Sequence, residues 1–497
     1  MSRGEGEDDV DDAKLLGSVL MVAPPEDWIE GPQDWLDDLQ PAGVILFKRN
    51  LPADLLAVRT GIARLHAWAA ARGEALLLAM DEEGGFVSPL GSYIPVPPSA
   101  RALAWATDPA GVERVFTAHG RRLRALGVTV DFTPVCDVNN NPRNPVIGVR
   151  SFGSESMPVT KYAHAVHAGL ATAGVASCAK HFPGHGDTDV DSHLALPVVH
   201  HDRARFDAIE LVPFRALVRE VPLVMVAHLA CPGLGDGMLP ATLAPRIATD
   251  LLRRELGFTG VAVTDSMDMQ GVSGHYGPED AAVRAMNAGC DLLLYCFALD
   301  LPRAARAGLA AALASGSLSR ARLQEASRRV ATLRARAAAR PPMLSPRASL
   351  PELQADAALY RDLCRRAIRV EHAEVWERVA SAARAAKQIT VRAAQPEVLG
   401  RLESRLQARG WAVQCEPEDA APTGNPTIAL LAERRPLPPE RVAVLRAAGA
   451  AGAALVNVLT PEVDATIADA FGCVVRTADH SDAMLDVLVT QIAGEKV

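Results

Sequence analysis

The chain has 497 residues and a formal net charge of −8 at pH 7, and 49% of its residues are hydrophobic and 22% charged. This composition is that of a globular protein with enough chain for more than one domain. The acidic balance argues against a nucleic-acid partner. No apolar run reaches the roughly 18 residues that a membrane span needs, so we expect no membrane partner.

The eight cysteines are scattered and form no C-x-x-C pair. This usage is typical of free thiols in a reducing compartment, and not of a disulfide framework or a zinc site. The first residues are acidic and polar, whereas a secretory signal has a basic start followed by an apolar run. We therefore expect a cytoplasmic protein.

Apolar, strand-like runs alternate with helix-like segments over the first two-thirds of the chain. The runs cover residues 17–22, 43–47, 75–80, 128–135, 175–178, 223–227, 261–264 and 291–295. Such alternation indicates βα units and a parallel sheet. Eight nearly continuous apolar strands predict an α/β fold with a closed (β/α)8 TIM-like barrel. The rival Rossmann sheet lacks its G-x-G-x-x-G after the first strand.

A segment rich in proline follows the barrel pattern near residue 340, and shorter strand-like runs then resume. They cover residues 389–391, 411–413, 427–431, 454–458 and 474–476. We predict a catalytic TIM-barrel domain over 1–340, a linker and helical connection over 341–385, and a small α/β sandwich domain over 386–497. The role of that second domain is not readable from its residues.

A TIM barrel places its chemistry at the C-terminal ends of its strands. Polar side chains stand where the apolar runs stop: Lys48, Arg49, Asp81, Asp137, Lys180, His181, His228 and Asp265. Loop polarity explains part of this pattern, but its regularity favours an active site. Asp265 ends a buried strand, where a carboxylate serves as a nucleophile or electrostatic stabiliser. The alternative, that Asp265 caps the following helix, stays open on this pattern alone.

Residues 180–197, KHFPGHGDTDVDSHLALP, crowd titratable groups onto a loop that Gly and Pro interrupt. Within it, Asp191 and His193 are two positions apart and face the same way in an extended segment. The carboxylate can then orient the imidazole, which exchanges a proton near neutral pH. A nucleophilic carboxylate opposite such an acid/base is what a retaining glycosidase needs.

The same region offers a metal-binding alternative. Its possible ligands are His181, His185, Asp187, His193, His228 and Asp265. The spacing argues against it, because no H-x-H opens the first strand and no H-E-x-x-H helix is present. We therefore predict no metal and no cofactor.

Residues 180–197 resemble the signature of family 3 glycoside hydrolases of the bacterial β-N-acetylglucosaminidase type. Further segments agree with that family in the same order: residues 131–139, 144–153, 227–228, 240–243 and 257–269. The resemblance covers roughly residues 14–335 and rests on one long, unusual motif with five collinear ones.

The resemblance implies a TIM-like barrel in which Asp265 forms a covalent glycosyl-enzyme. It implies that His193, supported by Asp191, is the acid/base on a mobile loop. It also implies a sugar subsite that is lined by Asp81, Arg150, Lys180, His181 and His228. The implied substrates are muropeptides or other chains with a terminal β-linked N-acetylglucosamine, handled in peptidoglycan recycling. We expect a monomer with such a saccharide as its partner.

The chain departs from the family at one point. The third-strand motif usually continues Asp-x-Glu-Gly-Gly with two arginines, where this chain has Phe86 and Pro89. Losing two guanidinium groups alters sugar recognition, because other side chains do not reproduce their bidentate contacts. The alternatives left open are a β-N-acetylglucosaminide phosphorylase, a β-glucosidase-like activity and a non-catalytic saccharide-binding barrel.

Overall fold

The structure is a computed structural model. It describes residues 12–31, 33–192, 194–339, 350–418, 426–432, 437, 439–451, 453–457, 471, 473–479 and 481–495.

The first domain is a closed barrel of eight parallel strands, as the sequence predicts. The strands are β1 Leu20–Val22, β2 Gly43–Ile45, β3 Leu77–Met80, β4 Val130–Asp131, β5 Ala176–Phe182, β6 Leu223–Val226, β7 Val261–Ser266 and β8 Leu292–Tyr295. Each pairs with the next, and β8 closes the ring on β1 with Val22 opposite Tyr295. Ring closure leaves no unpaired sheet edge in this domain.

The barrel strands are apolar on both faces because both faces are buried. One face packs inside the barrel, where Phe132, Cys178 and Leu292 belong to a single cluster. The other face packs against the surrounding helices, as Val44, Leu78 and Val224 do. This two-sided burial explains the near-continuous apolar runs that predicted a parallel barrel.

The barrel helices lie between the strands in the chain, and two more follow β8. They are α1 Asp34–Leu39, α2 Leu55–Ala70, α3 Ala100–Ala106, α4 Pro109–Leu126, α5 Ser156–Ala173, α6 Arg203–Ala208, α7 Leu211–Leu217, the π-helix Arg246–Glu255, α8 Gln270–Ser273, α9 Pro278–Ala288, α10 Asp300–Ser315 and α11 Arg320–Ala338. Short 3₁₀ turns also occur, at Lys48–Asn50, Pro89–Ser92, Gly148–Arg150, Pro232–Leu234 and Ala241–Leu243.

Strand β5 runs further than the apolar pattern indicates. We predicted its end at residue 178, but it continues to Phe182 and contains Lys180 and His181. The backbone N–H of Cys136 donates to the Lys180 carbonyl over 2.6 Å, and that of Ala227 donates to the Phe182 carbonyl. Main-chain bonds to both neighbours thus hold these polar residues at the barrel mouth.

The second domain is built on a six-stranded sheet with helices, which confirms the predicted smaller α/β domain. Its strands are β9 Arg369–Glu371, β10 Gln388–Ala393, β11 Ala412–Glu416, β12 Thr427–Leu431, β13 Ala454–Asn457 and β14 Val474–Arg476, in the order β11-β10-β12-β13-β14-β9. Among the described strands of this sheet, β9 alone is antiparallel to its neighbour. Its helices are α12 Leu350–Ala367, α13 Ala373–Ala386, α14 Pro396–Gln407, α15 Pro439–Ala450 and α16 Asp482–Ala493.

The predicted domain bounds remain predictions. Strand β9 lies inside the range 341–385, which the sequence assigned to a connection. Its three residues alternate between exposed and half-buried positions and lack an apolar signature.

The second domain contacts the barrel through helix packing, a hydrogen bond and an ion pair. Helix α12 packs on α3. The Ser99 hydroxyl donates to the Ala478 carbonyl over 2.5 Å, and Arg122 pairs with Asp356 at 2.8 Å. These contacts hold the second domain beside the loop that follows β3. No helix in the described part of the chain is long and apolar enough to cross a bilayer.

Candidate active site

A cavity of about 510 Å³ opens at the C-terminal ends of the barrel strands. Five of the eight residues predicted to act in catalysis or sugar binding line it: Asp81, Arg150, Lys180, His181 and Asp265. They come from different strands and loops. The barrel brings them together because the C-terminal ends of parallel strands share one mouth.

Lys180 is the central cation of the cavity. Its side chain is buried, and its Nζ lies 2.7 Å from Asp81 Oδ1 and 2.5 Å from Glu83 Oε1. Burial alone would lower the pKa of Lys180, but the two carboxylates outweigh it and raise the pKa above its ordinary value. Lys180 is therefore a fixed cation and not a proton donor near neutral pH.

Glu83 joins Lys180 to Arg150. The Arg150 guanidinium donates to both oxygens of Glu83 over 2.8 Å, a bidentate pair. Burial would raise the pKa of Glu83, but Arg150 and Lys180 hold it well below its ordinary value. The sequence alone does not point to Glu83. Nothing in the sequence distinguishes Glu83 as a site residue, because it lies two residues beyond Asp81 in a run of acidic residues and glycines.

Asp137 fixes the orientation of His181. Its Oδ2 lies 2.7 Å from His181 Nδ1, and its Oδ1 accepts the backbone N–H of His181. Arg150 can only donate, and its Nη2 lies 3.4 Å from His181 Nε2. His181 therefore carries its proton on Nδ1 and donates it to Asp137. Burial would raise the pKa of Asp137, but His181 outweighs it and the pKa is lowered.

His185 links the base of the 180–197 loop to the segment before His193. Its Nδ1 lies 2.8 Å from Thr188 Oγ1, and its Nε2 lies 3.2 Å from Ser192 Oγ. The Thr188 hydroxyl donates to the His185 carbonyl. Nδ1–H therefore donates to Thr188, and Nε2 accepts from Ser192. Burial lowers the pKa of His185 to about 4 and keeps the ring neutral.

Ser192 is held on a second side as well. Its carbonyl accepts the backbone N–H of Gly271, which belongs to the helix that follows β7. Ser192 is 2% exposed and lines the cavity with Asp265. At the start of the segment the backbone of Gly186 packs directly against that of Val138. A Cβ on Gly186 would lie 1.8 Å from the Val138 carbonyl oxygen. Both ends of the segment 186–192 are thus anchored to the barrel.

Asp265 lies near the end of β7, where the sequence placed it, and is half-buried in the cavity wall. Its Oδ1 accepts the backbone N–H of Ser266 over 2.8 Å. Asp268, three residues further on, accepts from the Ser266 hydroxyl and the Cys296 N–H. Burial raises the pKa of Asp268. The short turn after β7 is therefore held by side-chain bonds, which fix the strand end.

His228 lies two residues beyond the end of β6. It is fully buried, and its Nε2 donates to the Ser266 carbonyl over 2.8 Å. Its Nδ1 lies 2.7 Å from Thr242 Oγ1. His228 is not among the described residues that line the cavity. It supports the backbone that follows Asp265, and its predicted sugar contact remains a prediction.

His193 lies outside the described residues. Asp191 is half-buried, and its carbonyl accepts the N–H groups of Leu194 and Ala195. Asp191 thus accepts main-chain hydrogen bonds from two residues further along the loop. The pairing of Asp191 with His193 remains a prediction.

Phe86 and Pro89 both line the cavity at the positions of the expected arginines. Phe86 also packs against the apolar core of the second domain. The chain reverses just before it, at Gly84 and Gly85, which have φ values of +93° and +60°. An aromatic ring therefore replaces a guanidinium where the cavity meets the second domain.

The described residues of the metal-binding alternative do not form one group. Among the described residues, the grouping with ligand atoms close together is Asp187, His201 and Glu210. It does not line the cavity, and Arg205 already pairs with both carboxylates. His181, His185 and His228 are instead engaged in the bonds given above.

Comparisons with known proteins agree with this architecture. Residues 19–333 match the glycosyl hydrolase family 3 N-terminal domain. A β-hexosaminidase A of Pseudoalteromonas piscicida is 38% identical over 315 residues, which are 59% of this chain and 53% of that protein. A β-hexosaminidase of Mycobacterium tuberculosis is 40% identical over 52% of this chain and 68% of its own length.

A solved family 3 β-N-acetylglucosaminidase of Paenibacillus sp. str. FPU-7 matches over 98% of this chain and 97% of its own, with a TM-score of 0.82 and 28% identity. This likeness extends through both domains. The family match covers more than half of the chain, from the first barrel strand to the last barrel helix. The chain belongs to glycosyl hydrolase family 3.

Proposed function

We propose that the protein is a retaining exo-glycosidase that removes terminal β-linked N-acetylglucosamine from saccharides. The observation that carries this proposal is the position of Asp265 in one cavity with the Asp81–Lys180–Glu83–Arg150 network. Fixed charges of both signs at the barrel mouth suit the many hydroxyl groups of one terminal sugar. The relatives described as β-hexosaminidases support this choice of sugar.

In the proposed mechanism, Asp265 attacks the anomeric carbon as His193 protonates the departing glycosidic oxygen. The C–O bond to the aglycone breaks, and a covalent glycosyl-enzyme forms on Asp265. His193, now a base, then takes a proton from water, and the resulting attack releases the sugar. Asp191 would orient His193 and stabilise its cationic form.

Asp81 and Lys180 would bind sugar hydroxyls, with Arg150 and His181 beside them. These groups are held by Glu83 and Asp137, so they need little reorganisation when the transition state forms. Muropeptides remain within the proposed substrate range, as does a role in peptidoglycan recycling in the cytoplasm.

The direct test is trapping with an activated 2-deoxy-2-fluoro glycoside, followed by peptide mapping. The fluorine slows both steps, and the good leaving group lets the glycosyl-enzyme accumulate. We expect the label on Asp265. Label on any other residue would overturn the nucleophile assignment.

A second candidate is transfer of the sugar to phosphate through the same glycosyl-enzyme. Lys48 and Arg49 are exposed cations on the cavity lining, which favours an incoming anion. A histidine acid/base also does not repel phosphate as a carboxylate would. Turnover of an aryl β-N-acetylglucosaminide with and without phosphate separates the two, because phosphorolysis yields a sugar 1-phosphate.

A third candidate function is that of a non-catalytic saccharide-binding barrel. It predicts that the wild-type chain turns over no aryl glycoside, or that Asp265→Asn matches the wild type. Either result would contradict the proposed activity.

A further inference from the structure

A second cavity, of about 470 Å³, lies between the barrel and the second domain. Lys48, Phe86 and Ser88 line both this cavity and the catalytic one, so the two adjoin. Its volume falls within the range of about 300–1,000 Å³ that ligand sites occupy. The catalytic cavity therefore continues towards the second domain.

The two walls of the second cavity come from different domains. The barrel contributes residues 91–96, which follow the glycine turn after β3. The second domain contributes parts of α12, α14 and the start of α16. The interdomain bonds at Ser99 and Arg122 hold these walls in place. The cavity is thus part of the folded chain and does not depend on a moving segment.

The lining of this cavity is polar and its charges balance. It contains three cations and three anions: Lys48, Arg361, Arg401, Glu397, Asp482 and Asp486. Arg401 is already paired with Asp482 at 2.8 Å. Arg361 and Glu397 are exposed and form no ion pair with a described residue.

A buried hydroxyl oxygen without a hydrogen-bond partner among the described residues lies where the two cavities meet. Ser88 Oγ is buried and has no hydrogen-bond partner among the described residues. Buried hydroxyls are normally satisfied, and one on the lining of both cavities suggests a ligand as its partner. The second cavity thus offers a hydroxyl, a guanidinium and a carboxylate to a polar ligand.

We propose that this second cavity is the aglycone site of the enzyme and binds the second and third units of a neutral β-linked oligosaccharide. Arg361 and Glu397 bind sugar hydroxyls there, and Ser88 binds the unit next to the cleaved bond. The balanced charge favours a neutral chain over an anionic one, so a muropeptide, which carries carboxylates, would be a poorer substrate than a neutral oligosaccharide. The inference rests on the proposed function and gives the second domain a role in substrate choice.

The test compares a neutral β-linked N-acetylglucosamine trisaccharide with an aryl β-N-acetylglucosaminide, using the full chain. We expect Ala357→Trp, which fills the cavity, to lower the ratio of kcat/KM for the trisaccharide to kcat/KM for the aryl glycoside about tenfold. The paired change Arg361→Ala with Glu397→Ala should lower the same ratio by a similar factor, because it removes about two hydrogen bonds.

The matched control is Arg365→Ala, which lies one turn further along α12 and pairs with Asp362 outside the cavity. It should leave the ratio unchanged. If all three variants keep the wild-type ratio, the aglycone site is wrong although the proposed activity stands. A higher kcat/KM for a saccharide with an acidic aglycone than for the neutral trisaccharide would overturn the neutral substrate class.

Absence of aryl turnover in the wild type would contradict the proposed function instead. The cavity is then tested by calorimetric binding of the trisaccharide to the full chain with and without Ala357→Trp. Equal affinities would overturn the inference, and a weaker affinity of the variant would support the cavity as a saccharide site.

Discussion

Glu83 Oε1 lies 2.5 Å from Lys180 Nζ, and the same carboxylate receives two hydrogen bonds from Arg150. All three side chains are largely buried. Glu83 therefore bridges two cations at the proposed sugar subsite, and Asp81 pairs with one of them, Lys180. Removing the Glu83 charge would leave Arg150 without this partner and Lys180 with Asp81 alone, which is more costly than the loss of an exposed ion pair.

We expect Glu83→Gln to lower the free energy of unfolding by about 3 kcal/mol, because Lys180 and Arg150 lose their shared counter-charge. The kcat/KM should fall about 100-fold as both cations shift. Urea unfolding and steady-state kinetics measure these effects. Glu74→Gln is the control, since Glu74 also pairs with two cations, Lys14 and Arg334, but outside the cavity. Equal kcat/KM in both variants would contradict this role of Glu83.

Asp265→Ala should lower kcat for an aryl glycoside by about 10⁴-fold or more, because no carboxylate remains to attack the anomeric carbon. Added azide should restore part of the turnover by attacking from the vacated face. The aryl oxide leaves as the carbon–azide bond forms, and the product is the α-glycosyl azide. A β-glycosyl azide, or full activity without azide, would contradict the assignment of Asp265 as nucleophile.

The barrel and much of its site could be predicted from the sequence because strand order and strand ends are local signals. Asp265 and Lys180 were recognised because each stands where an apolar run stops. Glu83 was not recognised, because the glycine turn and the folding back of its side chain onto Lys180 are tertiary features. The sequence predicts too short a β5, because the strand continues through the polar residues Lys180 and His181, which are typical of a loop.

The second cavity could not be predicted at all. Its walls come from residues about 260 to 440 positions apart in the chain, and only the docking of the two domains brings them together. Phe86 illustrates the difficulty. In the sequence it is notable only as a phenylalanine where the family usually has an arginine. In the structure its ring lines both cavities and packs on the second domain.

Ser192→Ala should lower kcat about tenfold and change KM less. The variant removes the bond from Ser192 Oγ to His185 Nε2, which anchors the segment preceding His193. Hydrogen exchange of the 186–192 segment should become faster, a change that a purely local packing defect would not produce. Ser273→Ala is the control, because Ser273 is exposed on α8 and bonds only to nearby carbonyls. Unchanged exchange in Ser192→Ala would contradict the anchoring role.

The buried His185 should make the stability of the protein depend on pH. Its pKa is about 4 in the fold against 6.5 ordinarily, so the unfolded chain binds the proton more tightly. Stability is therefore fully present above pH 6.5 and falls as the pH drops from about 6.5 to about 4. Between pH 7 and pH 5 this residue accounts for about 2 kcal/mol of lost stability.

His185→Gln removes the titrating ring but keeps an amide that can bond to Thr188 and Ser192. We expect its free energy of unfolding to fall less between pH 7 and pH 5 than that of the wild type, as measured by urea unfolding at both pH values. His164→Gln is the control, since His164 is exposed and pairs with Glu220 on the surface. It should keep the wild-type pH dependence. If His185→Gln loses as much stability as the wild type, protons are taken up elsewhere when the chain unfolds, and His185 is not the group responsible.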